Sequence, residues 1–143
     1  MNLTQIAKNA KQAALQLSSI PSDIKNKALK NIAEAIGKNK EQILKENKKD
    51  IARAEKEGVI KPLIKRLMLN DEKISEMVQG IHDLIKQEDP VGKTLASLEM
   101  DKDLIMYQVS VPIGVIGAIF ESRPDATVQV ACLCLKSGNA AIL

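Results

Sequence analysis

A chain of 143 residues, 45% hydrophobic and 27% charged, has the size and balance of one ordinary globular domain. Its net charge of +3 comes from 21 Lys and Arg against 18 Asp and Glu. The signs alternate closely through "KNKEQILKENKKDIARAEKEG", which reads as a solvated helix surface and argues against a nucleic-acid-binding stripe. Tyr107 and Phe120 are the sole aromatics, so the base-stacking platform of a single-strand binder is missing as well.

The opening stretch, "MNLTQIAKNAKQAALQLSS", has spaced lysines and no continuous apolar run. It reads as neither a secretory signal nor a membrane span, and without arginine it does not read as an organelle-targeting helix. A cytoplasmic protein with no membrane partner is expected. Leu3, Ile6, Ala7, Ala10, Ala14 and Leu17 recur at helical spacing and predict an amphipathic helix over 2–19. "IPSD" interrupts it, with Ser22 as the expected cap of a second helix bearing Ile24, Ala28, Ile32, Ala35 and Ile36. Gly37 and Asn39 mark a break, and Asn39 with Gln42 predicts a capping box for a continuation that Gly58 ends. "IKPLIKRLMLN" predicts a short helix or turn. Asn70 or Asp71 then opens an amphipathic helix whose core face is Ile74, Met77, Val78, Ile81, Leu84 and Ile85, stopped by Pro90. His82, on that helix, has no second histidine to share a metal with, and no metal is expected.

Past Pro90 the period shortens. "KTLASLEMDKDLIMYQVSV" predicts a hairpin with "DKD" as its turn and Ile105, Tyr107, Val109 and Val111 on one face. "IGVIGAIF" is continuously apolar, the signature of a parallel-sheet strand covered on both faces. Pro124 to Lys136 is the crossover helix, capped by Gly138, and "AAIL" the next parallel strand. The fold class is therefore α/β: a helical region over 1–95, a β-hairpin over 96–111 and a β-α-β unit over 112–143.

In such a unit ligands gather at the carboxyl ends of the strands. The loop "FESRPDAT" lies there and opens a helix. Its Arg123 offers a fixed cationic fork, and Ser122 and Thr127 offer hydroxyls, for a phosphate or carboxylate. Gly114 and Gly117 do not make a dinucleotide fingerprint, because they precede the turn. Cys132 and Cys134 stand two apart on the helix, about 200° around its axis, so they cannot share one site. With no cation beside them, they are expected to be buried core thiols and not nucleophiles.

These residues carry a resemblance. "VPIGVIG", "ESRP" and "CLKSGNA" resemble the gamma-glutamyl phosphate reductase family, also called glutamate-5-semialdehyde dehydrogenases, within the aldehyde dehydrogenase superfamily. "NKALKNIAEAI", "ILKENKKDIARA", "LIKRLMLNDEKISEMVQGI" and "EDPVGK" support it upstream, so it covers essentially the whole chain. The resemblance implies NADPH-dependent reduction of L-glutamyl 5-phosphate to glutamate 5-semialdehyde in proline biosynthesis. It implies that the β-α-β unit begins an NADP-binding, Rossmann-type domain, here incomplete, with Pro112–Phe120 as its first strand. It places the cofactor and substrate beside Glu121, Ser122, Arg123 and Pro124, and makes the hairpin an oligomerisation element of a homo-oligomer. The family's nucleophilic cysteine lies downstream of "SGNA", so no catalytic residue is expected within these 143, and the chain alone is expected to be inactive. The alternative reading is a non-catalytic helical and hairpin module that associates with other subunits. On the first reading the apolar residues of "IGVIGAIF", Ile113, Val115, Ile116, Ile119 and Phe120, lack partners, so the isolated chain is expected to be marginally stable and prone to associate.

Overall fold

The computed structural model describes residues 2–143. Helix α1 (Leu3–Leu17) begins where the Asn2 side chain accepts the Thr4 N–H at 3.1 Å. Helices α2 (Ser22–Lys38) and α3 (Lys40–Lys56) follow, then α4 (Lys61–Leu67) and α5 (Asp71–Lys86). Asn70 caps α5, its side chain accepting the Lys73 N–H at 2.9 Å. Glu57 closes α3 and Gly58 follows at φ +72°, a left-handed turn that glycine adopts without a Cβ clash.

Two expected caps are not made. Ser22 lies inside the first turn of α2, and Pro21, with extended backbone, takes the capping place without a side-chain bond. The Ser22 hydroxyl instead faces the Asp89 carboxylate and helps to favour its ionised form. Asn39 keeps a near-helical backbone at φ −100° and ψ 13°, so it cannot swing its side chain over the α3 N-terminus as an extended cap does. Its amide turns back to donate to the Ala35 carbonyl of α2 at 2.8 Å.

The core forms where α2, α5 and α6 (Pro124–Lys136) meet. Leu29 and Ala33 from α2, Ile81 and Leu84 from α5, and Cys132 from α6 are all buried together. Ile32, Ile36, Val78, Ile85, Val128 and Leu135 pack around them. On α5 this is the periodic face read from the sequence, whereas on α2 the buried apolar residues are Leu29 and Ala33, and Ile24 and Ala35, expected on the core face, are exposed. A buried polar knot ties the same three elements. The Lys25 ammonium, 2% exposed, pairs with Asp89 just past α5 at 2.5 Å. Lys136, 3% exposed, donates to Asn26 Oδ1 at 2.8 Å and to the Ile85 carbonyl at 3.3 Å, near the end of α5. Partial burial works to raise the Asp89 carboxyl, but Lys25, the Val91 N–H and Ser22 outweigh it and hold it below its ordinary range.

Strands β1 (Thr94–Asp101) and β2 (Leu104–Val109) pair antiparallel, with Leu98 opposite Met106. The turn is Lys102–Asp103, with Asp103 at φ +63°, a conformation aspartate tolerates better than most side chains. Alternation suggests a ribbon with one face buried. Instead every residue of both strands is exposed, and Val111 lies past the end of β2. The hairpin stands off the body as an arm.

Strand β3 (Val115–Gly117) pairs parallel with β4 (Ala140–Ile142), completing the β-α-β unit through α6. The apolar run over 112–120 is thus a strand for three residues, because β4 offers a three-residue partner. Nor are its faces covered: Ile113 is 84% exposed and Ile119 fully so. Asn139, buried, receives the Gly114 N–H at 2.7 Å and fixes the entry to β3. Gly138 closes α6 at φ +70°. A Cβ there would also come within 3.0 Å of Pro112, so both conformation and space require glycine.

Candidate functional site

The turn after β3 holds the four residues singled out from the sequence. Glu121 is exposed. Ser122 is half-buried and held at φ +52°, a left-handed backbone that costs a non-glycine residue about 1–3 kcal/mol. Arg123 occupies the N-cap position of α6 without a side-chain cap bond, and Pro124 sits at the first helical position, where its missing N–H costs nothing. The Arg123 guanidinium lies 3.7 Å from the Asp125 carboxylate in the first turn of α6.

The structure divides this quartet. Arg123 lines a cavity of about 630 Å³ with its neighbour Asp125, Pro62, Lys65 and Arg66 of α4, and Lys73 of α5. Pro124 faces a separate cavity of about 530 Å³ against α3, beside Asn47 and Leu69. Glu121 and Ser122 line neither. Lys65, Arg66 and Lys73 are functional candidates that the sequence reading missed. Two adjacent basic residues in a Lys-rich chain carry no local signal, and nothing in the order of residues brings them to Arg123, 57 positions beyond Arg66.

What brings them there is a brace. Asn47 of α3, 5% exposed, donates its amide to the Leu67 carbonyl at 2.9 Å and accepts the Leu69 N–H at 2.8 Å. That fixes the link between α4 and α5. The Lys73 ammonium donates to the Met68 carbonyl of the same link at 2.5 Å. Among the described residues, Lys65, Arg66 and Lys73 make no ion pair, and Arg123 meets Asp125 at 3.7 Å, beyond hydrogen-bond length. The site offers a cluster of positive charges carried on a braced backbone, with open space in front of it.

Cys132 and Cys134 are buried and unbridged, and burial raises both thiols. A raised thiol yields little thiolate at neutral pH, so both behave as the core residues the sequence suggested.

The molecule is therefore an α/β protein: a helical layer, a projecting hairpin, and a β-α-β unit with a cationic turn at the carboxyl end of its first strand. No family model matches the chain. It is 49% identical over 143 residues to a gamma-glutamyl phosphate reductase from Pelotomaculum thermopropionicum, covering all of this chain and 33% of that protein. It is 53% identical over 137 residues to one from Methanosarcina barkeri, covering 93% of this chain and 31% of the relative. The crystal structure of the Saccharomyces cerevisiae gamma-glutamyl phosphate reductase superposes with a TM-score of 0.96 at 43% identity, over 100% of this chain and 37% of that one. The Thermotoga maritima enzyme gives 0.92 at 40%, over 99% and 34%. The chain's homologues are gamma-glutamyl phosphate reductases, and it corresponds to their N-terminal part. It spans about a third of the length of the curated relatives it matches.

Proposed function

We propose that the chain supplies the helical region and part of the substrate and cofactor pocket of an NADPH-dependent glutamyl-phosphate reductase acting in proline biosynthesis. The reaction balances as glutamyl 5-phosphate, NADPH and a proton giving glutamate 5-semialdehyde, NADP and phosphate. The observation that carries the reading is the "ESRP" turn at the carboxyl end of β3, in a chain similar along its whole length to enzymes of that name. Residues 1–95 are assigned to the helical region, 96–111 to an oligomerisation hairpin and 112–143 to the start of the NADP-binding domain.

The turn suits the cofactor chemically. Ile119 and Phe120 offer exposed apolar surface for a flat ring, and the exposed Arg123 guanidinium, facing the helical side, offers a cation for an anionic group. NADPH, when bound, supplies the hydride. Arg123 orients an anion, Ser122 donates a hydroxyl hydrogen bond, and Glu121 and Pro124 shape the turn. No nucleophile is assigned among these residues, because Cys132 and Cys134 are buried with raised thiols. These 143 residues alone are therefore expected to turn over nothing.

The test uses the gene product that carries the chain. With glutamyl phosphate it should oxidise NADPH, read at 340 nm, and release one phosphate per turnover. Arg123→Gln should lose most of this rate. Wild-type protein that leaves NADPH unoxidised would overturn the reading.

A second reading has its own observation. Leu95, Leu98, Met100, Leu104 and Met106 are all more than half exposed on the hairpin, an apolar surface of the kind that subunits cover. Association through the hairpin, in the cytoplasm and as a homo-oligomer, is compatible with the first reading and would be the sole role of a non-catalytic chain.

A further inference from the structure

We propose that the cavity between α4, the start of α5 and the Arg123 turn is the seat for the oxyanion of a small acidic substrate, with Lys65, Arg66 and Lys73 as its specificity-determining residues. This rests on the reading above and extends it to residues outside the "ESRP" turn.

Charge distribution is the first argument. Four cations and one acid line the cavity, a net of +3, which equals the net charge of the entire chain. Outside the cavity the remaining 17 cations and 17 acids cancel in sum. Elsewhere some lysines and arginines take carboxylate partners, as Lys49 does with Glu46 at 2.7 Å and Arg53 with Asp50 at 2.6 Å, and the others stand singly on the surface among interspersed acids. Inside the cavity the like charges repel one another and have little to offset them. An anion in the open space removes that repulsion.

Rigidity is the second argument. The cations do not merely drift on a loop. A buried asparagine clamps the segment between Lys65–Arg66 and Lys73, and Lys73 is tied back to it. Positions held in advance bind an anion with less ordering cost.

Size and place select the ligand. About 630 Å³ lies in the range of small-molecule sites. The cavity opens between the helical layer and the turn, so its cations approach from the helical side. A phosphate or carboxylate of a small acidic metabolite fits that description better than the extended phosphates of a dinucleotide.

The experiment titrates the chain with inorganic phosphate, with glutarate and with adenosine 2′,5′-bisphosphate, following amide chemical shifts. Phosphate and glutarate should bind saturably and shift residues 62–73 and 123–125. Lys65→Gln and Arg66→Gln should each weaken both ligands about tenfold, the loss of one charge-assisted contact. Lys65→Arg should retain binding. Asp125→Asn should tighten it, since it removes the cavity's one acid, an effect that no loss of folding could imitate. Lys49→Gln, on the paired surface of α3, should change nothing. Equal weakening by Lys49→Gln, no saturable binding of phosphate or glutarate, or a loss confined to the nucleotide would each overturn the proposal. Binding needs no turnover, so the two readings fail separately. Phosphate bound here by a protein that never oxidises NADPH would sink the proposed function and leave the seat standing. Turnover with an unchanged KM in Arg66→Gln would do the reverse.

Discussion

The helical body and the hairpin arm are both rich in apolar side chains, yet they treat them in opposite ways. In the body, Leu29, Ile74 and Ile81 are at most 3% exposed. In the arm, Leu98, Met100 and Met106 are each above 50%. The difference lies in what each has to pack against. A helix with a 3.6-residue stripe finds two neighbours in α5 and α6, whereas a two-stranded ribbon has no third layer. Hydrophobicity reports a demand for burial, and topology decides whether that demand is met within the chain.

The sharpest way to probe this contrast is Leu29→Ala. It removes a fully buried side chain at the junction of three helices, and should cost about 2–5 kcal/mol, read from the urea midpoint. Asp89→Asn comes next. It leaves the buried Lys25 ammonium without a carboxylate and should cost about 3 kcal/mol. Its pH dependence is specific. The folded-state carboxyl lies below its ordinary 3.8, so the stabilisation is complete above that value and is lost as the pH falls through the lower, folded-state value. Acid titration of stability should therefore steepen below about pH 4 in the wild type, and Asp89→Asn should flatten it. Smallest is Leu98→Ser on the arm, within about 0.5 kcal/mol for the monomer. The same change should lower the sedimentation coefficient at high concentration, because it dries out nothing within the chain and removes apolar surface available to another copy.

Legibility followed the same division. Helix α6 could be read from Pro124 to Lys136 because a proline at its start and a glycine past its end act locally. The core face of α5 was legible for the same reason: periodicity is a local property. Caps were less secure. Ser22 and Asn39 have the right chemistry for helix starts, but tertiary partners and backbone angle claimed them for Asp89 and Ala35. Within the site, Arg123 was visible because it sits on a strand-to-helix turn. Lys65, Arg66 and Lys73 were not, because their meaning arises from a buried Asn47 whose two hydrogen bonds reach 20 and 22 residues ahead. Asn47 itself is hidden in the most charged stretch of the chain, where an asparagine invites no notice.

The root of the hairpin has a mechanical meaning. Ser110 donates its hydroxyl to the Pro90 carbonyl at 2.6 Å and accepts the Lys93 N–H at 2.9 Å, and its backbone exchanges two further bonds with Gly92 and Lys93. Four fastenings at one residue make a riveted joint, not a hinge. An eight-residue strand reaches about 26 Å, which sets how far the arm extends from its root. A torque applied at its tip arrives at Pro90, one residue from the Asp89 end of the buried ion pair. Whatever grips the arm thereby also holds the seam where α2, α5 and α6 come together.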